Sequence, residues 1–349
     1  MNSLVDLNDF SLDEIEKILE KAFEIKNCPE RFKNAMEGKI LATLFFEPST
    51  RTQFSFQTAM YKLGGHTIGF ANSLNSSVSK GESLKDTIKI VSGYSDIIVI
   101  RHPLEGAAML ASLFSSCSVV NAGDGGHLHP TQTLTDIFTI LEYKRKLFNL
   151  NIGVCGDLKY SRTVNSLVEF LNRFKDNRFV LISDENFKLS NTLKENIESN
   201  GNTFVESNFL KDSIKDLDIL YITRMQKERF EESQAKKEEL ILLNEEILKF
   251  AKADLVVMHP LPRTKEIDSL VDKDKRAIYF DQALNGVYVR MALILYLLEE
   301  EKGKRKMEES KKFVCKNKKC ITQAEQYLPK YFRKGEKGVF CEYCGRLAN

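Results

Sequence analysis

Hydrophobic positions along the first three hundred residues keep two alternating rhythms. Ile15, Ile18, Leu19 and Phe23 fall at helical spacing behind Ser11, and Glu14 completes a capping box, so a helix is predicted to start there. The run GKILATLFF (38–46) is short and uniformly apolar, as a buried strand would be. EPSTRTQ then interrupts it, and FSFQTAMYKLGG returns to a helical period before stopping at Gly64. The alternation continues with DTIKIVSGY (helix), SDIIVIRH (strand), EGAAMLASLF (helix), SVVNAG (strand) and TQTLTDIFTILEYKR (long helix). A second set starts after Leu150: NIGVCGD, TVNSLVEFLNRF, RFVLISD, TLKENIESNG, DLDILYIT and ADLVVMHP, alternating strand and helix until two strands close it.

Strands separated by helices imply parallel sheets. The expectation is therefore an α/β chain with two parallel-sheet domains, residues 1–135 and 136–284, flanking an active-site cleft. The apolar helix 285–300 is free to pack back on the first domain, and a charged linker, 301–312, precedes a terminal segment, 313–349. Loops beyond the carboxyl ends of parallel strands are where ligands bind.

With 349 residues and 42% hydrophobic content the chain can bury such cores. No apolar run approaches the roughly 18 residues of a membrane span. The acidic start MNSLVDLNDFSLDE is unlike a signal peptide, so a cytoplasmic protein without a membrane partner is expected. Charge changes the picture only at the end: residues 302–349 hold 14 Lys+Arg against 5 Asp+Glu within a chain of net charge +2. Cysteines follow the same division. Cys28, Cys117 and Cys155 are scattered, whereas Cys315, Cys320, Cys341 and Cys344 read C-x4-C-x20-C-x2-C, two close pairs suited to a tetrahedral Zn2+ in a small zinc-ribbon-like domain.

Three strand ends of the first half carry anion-binding or proton-donating groups: Ser49-Thr50-Arg51-Thr52, Arg101-His102-Pro103, and His127 through Gln132. Backbone N–H groups at a helix start, hydroxyls and a guanidinium suit a phosphate, although the same serine and threonines could be an ordinary N-cap cluster. His127 and His129 lack a nearby third ligand, so hydrogen-bond donation to a developing oxyanion fits them better than a metal. Lys159, Arg162, Arg224 with Gln226, and Arg263 supply cations at strand ends of the second half, where a dicarboxylate could be gripped. Gly153 and Gly156 do not form a dinucleotide fingerprint, so no organic cofactor is expected.

Over roughly residues 1–305 the chain resembles the aspartate carbamoyltransferase catalytic chains, in FFEPSTRTQFSF, SVSKGESLKDT, VIRHP, HPTQTLTDIFTI, GDLKYSRTVNSL, TRMQKERF and HPLPRTKEID. The resemblance implies transfer of the carbamoyl group of carbamoyl phosphate to L-aspartate in pyrimidine synthesis. It implies that Ser49, Thr50, Arg51 and Thr52 surround the phosphate. Arg101, His129 and Thr52 would then bond the carbamoyl oxygen, and Gln132 with the Leu261-Pro262 backbone would bind the carbamoyl nitrogen. Arg162, Arg224 and Gln226 would hold the aspartate carboxylates. Ser77 and Lys80 would come from a neighbouring subunit, making a homotrimer with shared sites and leaving open whether trimers pair. Ornithine carbamoyltransferase shares the phosphate-side loops, but an ornithine site would need acids where this chain has arginines. A zinc-ribbon nucleic-acid binder would leave the strand-end loops unexplained, so no nucleic-acid partner is expected.

The chain departs from the family signature at Gln53 and Gln57, where an arginine and a glutamate are usual, and at Ser161 and Asn165. Losing both charges of a pair is the harmless way to change it, so the first substitution is expected to be structural. VCKNKKCITQAE and CEYCGRLAN resemble the zinc domain of the regulatory chain that accompanies some of these enzymes, here fused directly to the catalytic chain without an effector domain. A closed shell of four thiolates would be structural, so the tail is expected to stand outside the chemistry.

Overall fold

The computed structural model describes residues 3–71, 77–224, 243–299, 307, 309–310, 312–335 and 338–348. No helix among them is long and apolar enough to cross a membrane. The chain separates into two compact units, Met1–Thr131 with Val287–Asn349, and Gln132–Gly286.

The first unit opens with α1 (Leu12–Asn27), whose capping box is complete: Ser11 Oγ accepts from Glu14 N–H and Glu14 accepts from Ser11 N–H. β1 (Ile40–Phe45), α2 (Thr50–Lys62), β2 (His66–Phe70), α3 (Leu84–Val91), β3 (Ile97–His102), α4 (Ala107–Phe114) and β4 (Ser118–Asp124) follow in strand–helix alternation. The four strands form a parallel sheet in the order β2-β1-β3-β4. β1, β3 and β4 are buried almost throughout, as parallel strands covered on both faces must be.

α5 (Pro130–Lys144) leads into the second unit. There β5 (Asn151–Cys155), α6 (Arg162–Leu171), β6 (Arg178–Ile182), α7 (Asn191–Ser199), β7 (Thr203–Ser207), the short α8 (Leu210–Ser213), β8 (Ile219–Ile222), the short α9 (Glu245–Leu248) and β9 (Val256–Met258) build a parallel sheet ordered β7-β6-β5-β8-β9. α10 (Tyr279–Glu299) begins six residues before the predicted start and carries the chain back to the first unit.

Within the two parallel sheets, the strands that hydrophobic patterning misses, β2 and β7, are edge strands, and each shows mostly exposed or half-exposed residues. An edge strand has one open side and needs less apolar sequence than its neighbours.

The tail forms α11 (Ile321–Ala324) and an antiparallel hairpin of β10 (Phe332–Gly335) and β11 (Gly338–Cys341). It packs into the core of the first unit. Ile321, Leu328 and Tyr343 are buried in one cluster with Leu84, Ile88, Ala107, Ala108, Leu110 and Ala111 of α3 and α4. At roughly 2 kcal/mol for each large side chain removed from water, this contact is strong enough to hold the tail in place.

Candidate active site

β1 and β3 are neighbours, and the loops beyond them are tied together: Phe46 and Glu47 N–H both donate to Arg101 C=O, at 2.8 and 3.3 Å. α2 starts at Thr50, and Ser49 stands at its N-cap position without making a side-chain cap. Its hydroxyl donates instead to Thr52 Oγ1 at 3.0 Å. The cap-cluster alternative requires the opposite. A helix start left without a side-chain cap presents N–H groups and the positive end of its dipole to an anion.

Arg51 extends from the same turn, and burial together with the neighbouring Arg101 guanidinium lowers its pKa. Two like charges drawn together repel unless an anion is shared between them. Arg101 is itself buried and donates to Ala122 C=O at 3.2 Å and Glu47 Oε1 at 3.3 Å. Glu47, not foreseen from the sequence, thus fixes Arg101 from behind and offsets part of its charge.

His129 is buried immediately before α5, and its Nδ1 lies 3.4 Å from Thr131 Oγ1. The preceding loop is organised by Asp124, which accepts from Asn121 Nδ2, Leu128 N–H and Gly106 N–H at 3.1, 3.1 and 2.8 Å. His127 faces Asp124 at 3.1 Å; burial opposes charge on its ring, yet the adjacent carboxylate raises its pKa overall. His102 Nδ1 accepts from Leu104 N–H at 3.0 Å, and burial pulls this ring down to about 4 despite Asp124, leaving it neutral near pH 7. Ser77 and Lys80 bound a 3-10 turn, and Lys80 is exposed.

The second unit joins Gln132 to Leu261 by a chain of hydrogen bonds. Gln132 Nε2 donates to Asp136 Oδ1 at 2.8 Å, Gln282 Nε2 donates to the same oxygen at 2.6 Å, and Gln282 Oε1 accepts from His259 N–H at 2.9 Å. Leu261 N–H donates to His259 Nδ1 at 2.8 Å, which puts the ring proton on Nε2, facing Glu266 at 2.8 Å. Burial alone would raise the Glu266 carboxyl, but bonds from His259, Thr264 and the local backbone hold it at about 2. Leu261 takes a left-handed φ of 51°, uncommon for a branched side chain, and precedes a cis bond to Pro262.

Arg162 opens α6 and is buried, whereas Arg224 is half-buried just beyond β8. Gln226 lies outside the described residues. Arg263, one of the sequence's candidate carboxylate binders, is already engaged by Asp272 and lies 5.2 Å from the Tyr279 ring, so it is a structural cation. Lys159 is exposed and stands 5.1 Å over the Tyr160 ring.

Comparison with known proteins shows the family. The description "Aspartate/ornithine carbamoyltransferase, carbamoyl-P binding domain" matches residues 2–142, and "Aspartate/ornithine carbamoyltransferase, Asp/Orn binding domain" matches residues 149–297. The aspartate carbamoyltransferase catalytic subunit of Clostridium acetobutylicum is 52% identical over 299 residues, covering 85% of this chain and 97% of its own. That of Clostridium botulinum is 53% identical over 298 residues, covering 84% and 97%. This chain belongs to the aspartate carbamoyltransferase catalytic-subunit family.

Among solved structures, the family's M. jannaschii catalytic subunit superposes with a TM-score of 0.81 at 43% identity, covering 87% of this chain and 100% of that one. The Trypanosoma cruzi aspartate transcarbamoylase in complex with carbamoyl phosphate and aspartate gives 0.78 at 34% identity, covering 85% and 95%. The α/β fold and the carbamoyltransferase activity expected from the sequence stand on this ground, and the nucleic-acid reading of the chain is set aside.

Within the family frame the departures find physical accounts. Gln53 is buried and donates to Thr43 Oγ1 at 3.3 Å, a neutral bond in the place of a charge. Ser161 caps α6 through Val164 N–H at 3.5 Å.

Residues 298–349 fall outside both family matches, and there the four tail cysteines are all buried with their sulfurs within 4.8 Å of one another. Cys315 and Cys344 lie 3.6 Å apart. Tetrahedral coordination at the usual metal–sulfur length separates sulfurs by about 3.8 Å, so the four thiols can hold a metal ion.

Proposed function

We propose that the chain binds carbamoyl phosphate and L-aspartate, the two substrates of aspartate carbamoyl transfer, with the phosphate and the carbamoyl oxygen held by the first unit and the aspartate carboxylates by the second. The uncapped first turn of α2 carries this reading, because an N-terminus whose own serine turns away is prepared for a phosphate. Ser49, Thr50, Arg51 and Thr52 take the phosphate; Arg101, His129 and Thr52 take the carbamoyl oxygen; Gln132 and the Leu261-Pro262 backbone take the carbamoyl nitrogen. Arg162, Arg224 and Gln226 take the carboxylates of aspartate.

The aspartate amine attacks the carbamoyl carbon, forming the C–N bond and placing negative charge on the carbonyl oxygen. Collapse breaks the bond to phosphate, which leaves with the electron pair and accepts the amine's proton. Positioned donors lower this barrier without a covalent intermediate. Ser77 and Lys80 complete the site of a neighbouring copy in a trimer. The tail is a zinc domain of the regulatory-chain type fused to a catalytic chain, and its ion is structural.

Assay with carbamoyl phosphate and either L-aspartate or L-ornithine tests the reading, and turnover with ornithine exceeding that with aspartate overturns it. Mixing inactive Arg51→Ala and Lys80→Ala chains should restore part of the activity. No recovery after verified subunit exchange would overturn the shared site. Elemental analysis should return one zinc per chain.

A further inference from the structure

The tail does more than cover α3 and α4. Its contacts converge on the stretches that lead into the carbamoyl-phosphate loops. Glu105 lies between β3 and α4, four residues beyond Arg101, and its side chain is 1% exposed. Its carboxylate accepts three hydrogen bonds, all from the tail: Arg346 Nε and Nη2 at 3.0 Å each, a bidentate pair, and Asn317 Nδ2 at 2.6 Å. The backbone is bound as well, since Glu105 N–H donates to Lys319 C=O at 2.9 Å and Ile321 N–H donates to Glu105 C=O at 2.8 Å.

From Glu105 the connection continues one residue on. Gly106 N–H donates to Asp124 Oδ2, and Asp124 Oδ1 accepts from Leu128 N–H, the residue before His129. Gly125 N–H donates to His102 C=O at 2.8 Å, tying the same two loops a second time. The tail also reaches α3, where Glu325 accepts from Leu84 N–H at 3.2 Å and Tyr327 and Phe114 flank Lys85 Nζ at 5.0 and 5.1 Å. The Glu105 carboxylate is buried while the Arg346 side chain is 59% exposed, so the pair is closed to water on one side, and its two-point geometry fixes the orientation of the carboxylate.

We propose that Glu105, held by Arg346 and Asn317 of the tail, is a positioning residue that sets the geometry of the loops bearing Arg101 and His129. The proposal rests on the reading that these two residues bond the carbamoyl oxygen. It makes the tail a working part of the carbamoyl-phosphate unit, against the sequence expectation that the tail stands outside the chemistry. Among the described residues the phosphate cradle on α2 has no such hydrogen-bonded link to the tail, so the two halves of carbamoyl-phosphate recognition should depend on the tail to different extents.

The test uses the full-length protein. Arg346→Ala should lower kcat by about tenfold to a hundredfold, the order expected for loss of sub-ångström alignment. The dissociation constant of inorganic phosphate, read calorimetrically, should stay within about twofold, and metal content per chain should be unchanged. Arg346→Lys should recover only part of the rate, because an ammonium cannot make the two-point contact. Asn317→Ala serves as the second variant, with a smaller loss in the same direction. In a His129→Ala background Arg346→Ala should cost little more, since residues acting as a unit are not additive. An Arg346→Ala enzyme with unchanged kcat overturns the proposal. So does one that loses phosphate affinity as steeply as rate, or one whose loss adds fully to that of His129→Ala. If His129→Ala and Arg101→Ala themselves keep the parent kcat, it is the assignment of the carbamoyl-oxygen donors that has failed.

Discussion

α2 follows β1 and α6 follows β5, two strand–loop–helix crossings in two parallel sheets, and the chain finishes their first turns in opposite ways. Ser49 leaves the start of α2 uncapped and bonds Thr52, while Ser161 closes the start of α6 on Val164 N–H and lies within reach of the Thr163 and Thr223 hydroxyls. An open helix start gives its N–H groups and dipole to a ligand; a closed one keeps them for its own stability and leaves recognition to side chains. The difference suits a tetrahedral phosphate on one unit and carboxylates read by arginines on the other.

The contrast can be broken most severely at Arg51. Arg51→Ala should cut kcat/KM for carbamoyl phosphate by about a thousandfold, the upper range for removing one preorganised charged donor. Steady-state kinetics showing less than a tenfold loss would mean the open turn does not hold the phosphate. Next in size is Arg162→Ala, which should raise the aspartate KM by about tenfold to a hundredfold, a charge-assisted bond's worth. Carbamoyl-phosphate affinity should be preserved, and equal loss of both would erase the division of labour.

Acid should separate the units. His102 is held neutral by burial with a pKa of about 4, below the usual 6.5, so its contribution is full above pH 6.5 and declines as pH falls toward 4. At pH 5 that group alone costs the first unit about 2 kcal/mol. Glu266 in the second unit, held at about 2 against a usual 4.5, keeps its contribution down to pH 4.5 and loses it toward 2. Hydrogen exchange followed from pH 7 to 4 should therefore show the first sheet loosening first, and the reverse order would refute the assignment. Smallest is the pair of serines. Ser161→Ala should cost about 1 kcal/mol in thermal unfolding, whereas Ser49→Ala should leave stability within about 0.5 kcal/mol and show its effect in carbamoyl-phosphate binding.

The pattern of apolar residues made the interior strands and most helices legible, because a strand buried on both faces must be apolar at nearly every position. HTIGF and TFVES escaped it as edge strands, and FRKG and GVFC escaped it as a short hairpin whose residues are mostly exposed or half-exposed. The candidate cations could be named because the apolar pattern fixes where the strands end. Their supports could not. Glu47, Asp124, Asp136 and Glu105 meet their partners across 54, 18, 146 and 241 positions of chain, and nothing local marks an acid as one that will be buried and bonded. Arg263 misled for the complementary reason, since spacing cannot reveal that Asp272 has already taken it.

Gly106 carries a consequence for how the tail is seated. It sits at φ 86°, and a β-carbon there would come within 2.7 Å of the Tyr343 Cβ and carbonyl oxygen. A methyl group at this one position is therefore a wedge between tail and body, disfavoured by backbone and by space alike. The bare position is thus what lets the Tyr343 backbone of the tail come against the body, and its emptiness belongs to the seat as much as the side chains around it.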